Sequence, residues 1–122
     1  MSEAKESIVF RHWFMANSKK FQSCSLEIKD TRGKNTFSLK ELKEAQINHA
    51  LACKSDRGNL FRTAVGTDGM GDYHFLRNAY AYIVIKYPKG FAVIDVDDLI
   101  KETKGVTWER ASEIALELIV LK

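Results

Sequence analysis

Apolar residues recur at helical spacing from about Glu3 to Asn17, where Val9, Phe10, Trp13 and Phe14 fall together and Lys5 and Arg11 lie on other faces. This stretch predicts an amphipathic helix. From Phe21 to Lys29 the pattern changes to alternation. In a strand, Glu27 and Lys29 project together while Cys24, Leu26 and Ile28 take the opposite face. Arg32-Gly33-Lys34-Asn35 is a turn by composition. Ser38 with Glu41 three residues later has the form of a capping box, which opens a helix running to Lys54. Leu39, Leu42, Gln46, Ala50 and Cys53 share one face of that helix. Gln46 thus lies inside an apolar stripe, where an unpaired amide would cost about 1–3 kcal/mol. Its partner is either a backbone group of the core or a group in a cleft beside Glu27 and Lys29.

Leu60 to Val65 predicts a short strand, followed by the glycine-rich loop Gly66-Thr67-Asp68-Gly69-Met70-Gly71-Asp72. That loop lacks the lysine and hydroxyl residue that end a phosphate-binding loop of the Walker kind. Ala79 to Tyr87 and Phe91 to Val96 are strong strand signals. Pro88-Lys89-Gly90 between them predicts an antiparallel hairpin. A helical turn is expected from Asp97 to about Thr103. Thr107 then caps a terminal helix on which Ala111, Ile114, Ala115, Leu118 and Leu121 form an apolar face. The order helix, strand, helix, strands, helix predicts an α/β (α+β) fold. With 122 residues and no repeat or linker, the chain reads as one domain, 1–122.

A net charge of +3 permits nucleic-acid binding, and the distribution of charge narrows where. Lys19, Lys20, Arg32, Lys34, Lys40 and Lys43 flank the Glu27 segment, whereas Asp95, Asp97, Asp98, Glu102, Glu109, Glu113 and Glu117 crowd the last third. Cys24 and Cys53 have no metal-ligand spacing around them and read as free thiols in a reducing compartment. His12, His49 and His74 form no metal-binding pair and read as structural or surface residues. No serine sits in a nucleophile elbow. No leader or bilayer-length apolar run is evident, so neither secretion nor a membrane partner is expected. The expected location is the cytoplasm, that of the host cell if the protein is phage-encoded.

A carboxylate and an ammonium one residue apart on a strand suit phosphodiester chemistry: the first holds a cation, and the second offsets charge developing on the phosphate. The plain alternative is a surface ion pair on an edge strand. Leu26-Glu27-Ile28-Lys29-Asp30-Thr31, the basic turn Arg32 to Phe37 and the helix carrying Gln46 together resemble the PD-(D/E)xK nucleases. The likeness is to Holliday junction resolvases of the RecU type and related small phage-encoded proteins. The likeness continues through Ala81-Tyr82-Ile83-Val84-Ile85-Lys86-Tyr87 and Phe91-Ala92-Val93-Ile94-Asp95-Val96. It implies a restriction-endonuclease-like mixed central sheet flanked by helices, and a Mg²⁺- or Mn²⁺-dependent endonuclease that cuts branched DNA as a homodimer. It further implies Glu27, Lys29 and Gln46 as catalytic residues, Glu27 and the Ile28 carbonyl as metal ligands, and the six flanking cations as contacts to the DNA backbone.

The family supplies an aspartate ten to fifteen residues before its E-x-K, at the end of the partner strand. Here Asn17 stands ten residues before Glu27, and neither Asp nor Glu occurs between Arg11 and Leu26. Asparagine brings no charge and holds a hard cation more weakly. The second metal-binding acid is then Asp72, with Asp68 in the same loop, or Glu6 of the first helix. Glu6 also reads as a solvated first-turn residue. Asp30 should point away from the pair. Two other readings stay open: a nucleic-acid-binding module on the same fold without turnover, and an interaction protein that docks through its terminal helix.

Overall fold

The computed structural model describes residues 3–62 and 72–121, with side chains from Ser7 onward at the amino end. Helix α1 spans Glu3–Ala16 and strand β1 Cys24–Asp30. A three-residue strand β2, Thr36–Ser38, precedes helix α2, Glu44–Lys54. Strands β3 (Asn59–Arg62) and β4 (Tyr73–Leu76) lead to β5 (Tyr80–Tyr87) and β6 (Gly90–Asp95). The short helix α3 (Val96–Leu99), strand β7 (Gly105–Thr107), helix α4 (Trp108–Ile114) and strand β8 (Glu117–Val120) complete the order.

A four-stranded mixed sheet, ordered β1-β5-β6-β8, forms the centre. β1 pairs in parallel with β5, and the other two pairings are antiparallel. β5 is central, and Ala81 to Tyr87 are buried because both faces of this strand are covered. Ala81, Ile83, Ile85 and Tyr87 face the core formed with α2, α3 and α4, whereas Tyr82 and Val84 face α1 through Phe10 and its aromatic neighbours. The mixed α+β architecture, α1, the Tyr80–Asp95 hairpin and the turn after β1 agree with expectation. In that turn Arg32 and Gly33 both have positive φ, and the Asp30 carboxylate accepts the Arg32 N–H at 2.9 Å.

Several boundaries differ from the sequence pattern. The segment 36–41, expected as the start of a long helix, instead forms β2 and a 3₁₀ turn, because Thr36 to Ser38 pair with β7. Ser38 makes no side-chain cap, and at the start of α2 the Gln46 side-chain oxygen accepts the Lys43 N–H instead. The expected terminal helix ends at Ile114, and residues 117–120 turn into a strand that extends the sheet beside β6. The expected helical turn after Asp97 is the shorter α3. The strand expected from Leu60 to Val65 is β3 as far as Arg62; its last residues and the loop through Gly71, Asp68 included, lie outside the described residues. Among the described residues, no helix is long and apolar enough to cross a membrane.

Gly90 is required at the β5–β6 turn by packing. A Cβ there would stand 2.0 Å from the Ile119 carbonyl oxygen of β8. Gly90→Ala should therefore cost about 1–3 kcal/mol by forcing β8 away from β6, read as a lower midpoint in thermal or urea unfolding.

Candidate functional site

The parallel register sets Glu27 opposite Ile83 and Lys29 opposite Ile85. Both side chains therefore emerge on the face covered by α2, while Cys24, Leu26 and Ile28 pack toward α1. The Lys29 ammonium lies 4.0 Å from Glu27 Oε1; its side chain is 13% exposed and that of Glu27 39%. Such burial distinguishes the lysine from a surface ion-pair partner, whose charge water would largely screen.

Gln46 joins the pair from the first turn of α2. Its Nε2 donates to Glu27 Oε1 at 2.5 Å, and its Oε1 accepts the Lys43 N–H at 3.1 Å. One amide thus satisfies an orphan donor at the helix start and fixes a carboxylate on the neighbouring strand. The polar residue in the apolar stripe finds its partner in the cleft, and it binds the glutamate rather than the lysine. Lys29 and Gln46 both approach Oε1. Oε2 is left without a described partner beside a cavity of about 330 Å³ lined by Ser25, Glu27, Gln46, His49, Ala50 and Tyr82.

His49, expected only as a structural residue, lines this cavity one turn beyond Gln46. It also ties α2 to the β3–β4 hairpin. Its Nδ1 stands 2.8 Å from Asn59 Nδ2, its Nε2 stands 3.7 Å from Cys53 Sγ, and its ring meets Phe61 edge-on at 5.0 Å. A hint was present in the sequence, since Gln46 and His49 at i, i+3 share a helix face. Cys53 itself is fully buried, and Cys24 is partly buried. Burial pushes the Cys24 thiol above its ordinary range by disfavouring the thiolate.

The candidate acids are placed unequally. Contacts between the hairpin and α2 run from Asn59 beside Cys53 to Phe61 beside His49, and His74 stacks on Phe61 at 5.6 Å. Asp72, two residues before His74 and exposed, stands at the end of the hairpin where Arg62 pairs with Tyr73, and it is not among the residues that line the cavity. Glu6 belongs to α1, on the opposite side of the sheet from Glu27, and its side chain lies outside the described residues. Asp30 accepts the Arg32 N–H in the turn that follows β1. Asn17, which stands where the family aspartate was expected, donates its side-chain amide to the Trp13 carbonyl at 2.8 Å. It caps α1, and β1 has β5 as its one strand neighbour among the described residues. As oxygen chemistry, Glu27 fits one position around a hard divalent cation. Among the described residues, no three His, Cys, Asp or Glu side chains converge to complete such a site.

The basic residues do not form one patch. Lys19 and Lys20 precede β1, whereas Arg32 and Lys34 follow it, about 20 Å away along the strand. Lys20 is engaged by Glu117 at 3.5 Å and stands over the Trp13 ring. Lys40 lies beside Thr103 and Lys104 in a separate hollow. Lys43 begins α2, so it and Lys29 are the cations closest in the chain and fold to the cleft.

Comparison with protein-family models, curated proteins and solved structures gave no match.

Removing the amide should loosen the cleft without dismantling the core. Gln46→Ala is expected to lower stability by about 1 kcal/mol, measured by urea unfolding, since the bond it breaks is half exposed. In the native protein both thiols should react slowly with a disulfide reagent near pH 8, and two equivalents should appear at once on denaturation.

Proposed function

We propose that the protein is a divalent-metal-dependent DNA endonuclease similar to the PD-(D/E)xK junction resolvases, with Glu27, Lys29 and Gln46 as its catalytic cleft. The observation that carries this reading is the convergence of the three side chains, which come from one strand and one helix, at Glu27 Oε1, with Glu27 and Gln46 lining a cavity. A surface ion pair has no need of a largely shielded lysine and a glutamine bridge.

Each residue has a part in the chemistry. Gln46 holds Glu27, which lines the cavity, by one oxygen and leaves the other free to take a cation. Lys29, mostly shielded from water, stands beside Glu27 and would offset the negative charge that builds on the scissile phosphate. Glu27 would hold Mg²⁺ or Mn²⁺ with Asp72 as the second acid; the bound ion would polarise the phosphodiester and acidify a water molecule. Asp72 is preferred because it belongs to the hairpin that packs on α2 through His49, on the same side of the sheet as Glu27. Lys43, Arg32 and Lys34 would contact the phosphate backbone at the end of β1 where Lys29 lies, positioning DNA without reading its sequence. Symmetric nicking of a branched substrate would require two copies of the chain. The central sheet with β1 and β5 parallel around α2 is in keeping with a restriction-endonuclease-like core, here with β1 near the sheet edge.

The test is cleavage of linear, flapped and four-way DNA in Mg²⁺ or Mn²⁺. Wild type should cut at least one of these. Glu27→Ala, Lys29→Ala and Asp72→Asn should each lower the rate by at least about 100-fold. Retained binding with no cleavage by wild type would leave a DNA-binding module. Equal cleavage by wild type and all variants would place the activity elsewhere.

A further inference from the structure

The two faces of the β3–β4 hairpin differ in character. Asn59, Phe61, His74 and Leu76 share the inner face, where Asn59 and Phe61 meet His49 of α2. The outer face carries the cross-strand pairs Leu60–Phe75 and Arg62–Tyr73. Its apolar members are strongly exposed, Leu60 at 64%, Tyr73 at 62% and Phe75 at 52%. Arg77 lies over the Phe75 ring with its guanidinium carbon 5.6 Å from the centroid.

The backbone is shaped to hold that ring in place. Gly58, with φ of +83°, precedes β3, and a Cβ there would come within 2.5 Å of the Phe75 ring. The ring thus lies close against main chain at its edge while the residue as a whole stays half exposed. The paired positions and their flank hold two aromatic rings and two arginines, and the Asp72 carboxylate precedes Tyr73 at the other end. An isolated two-stranded hairpin is marginal by itself, and leaving its largest side chains in water works against it.

We infer that this outer face is a stacking platform for unpaired bases of DNA, with Tyr73 and Phe75 taking the bases and Arg62 and Arg77 the adjoining phosphates. The inference rests on the DNA-processing reading above and adds to it a preference for single-stranded or branch-point segments. Charge favours this occupant over a second copy of the chain. Arginines set among aromatic rings complement a polyanion whose bases offer flat π faces. The place is also suitable. The same two strands bear Asp72 at their tip and pack on the helix that supplies Gln46, so a base held on the platform would lie next to the strand presented to the cleft.

The test uses the full chain without divalent metal and three labelled DNAs: a blunt duplex, a four-way junction, and a single strand carrying 2-aminopurine. Wild type should quench the 2-aminopurine on binding. Tyr73→Ala and Phe75→Ala should each weaken single-strand and junction binding on the order of tenfold, with the quench lost in the double variant. Duplex affinity should change by less than about twofold, because phosphate contacts dominate it. Tyr73→Phe and Phe75→Tyr keep the rings and should behave as wild type. Circular dichroism checks folding, and the single variants carry the test if the double variant does not fold. Binding without quenching, or equal single-strand affinity in the alanine variants, would overturn the platform. So would a wild-type dimer that the alanine variants convert to monomer, which would assign the face to a second copy. Wild type that binds the duplex alone would overturn the platform and leave the nuclease reading standing. Wild type that binds none of the three DNAs would overturn both.

Discussion

The parallel pairing of β1 with β5 is the constraint from which the cleft follows. Parallel neighbours cannot be joined by a tight turn, so the chain must cross over the sheet between them. Here the crossover is α2 together with the β3–β4 hairpin. The register of Glu27 on Ile83 then decides which face of β1 meets the crossover. A slip of one residue would turn Leu26 and Ile28 toward α2 and bury Glu27 and Lys29 against the aromatic side chains of α1. Burying those charges there would be costly, so register and charge placement reinforce one another.

Within that frame, Gln46 shows how a single amide links local and tertiary structure. Its oxygen end completes the start of α2, and its nitrogen end meets a carboxylate on another element. Lys54, at the far end of the same helix, donates to Asp95 at 2.8 Å and also pairs with Asp97. Its ammonium is held above its ordinary range by those two carboxylates, which outweigh the opposing effect of partial burial. The acidic residues of the last third therefore serve in part as an anchor for α2.

The parts of the fold readable from sequence were those in which one local pattern dominates. Alternation along Cys24 to Lys29 located Glu27 and Lys29 on a common face, and the apolar run from Ala79 to Tyr87 marked a strand. The misplaced helix start at Ser38 has a physical cause. A serine followed three residues later by glutamate fits a cap equally well whether or not the preceding residues are drawn into a ladder, and the β7 partner that draws them lies far along the chain. At the carboxyl end, Ile114, Leu118 and Leu121 continue a helical spacing, yet β6 offers free backbone groups to residues 117–120. Tertiary pairing overrode local propensity in both places. Gln46 was recognisable as an amide in need of partners, but its bond to Glu27, made in addition to the one it accepts from the Lys43 backbone, required knowing how close α2 comes to β1. The role of His49 was hidden for the same reason, since its partner Asn59 and the cavity arise only once the hairpin folds back.

Fastening α2 at both ends has a mechanical consequence. With Gln46 bolted to one strand and Lys54 to the turn beyond another, the helix is poorly placed to swing away as a unit. The width of the aperture is thereby fixed along one wall. The facing wall is β1, tied to the helix through that same amide, so the two sides of the opening keep their spacing together.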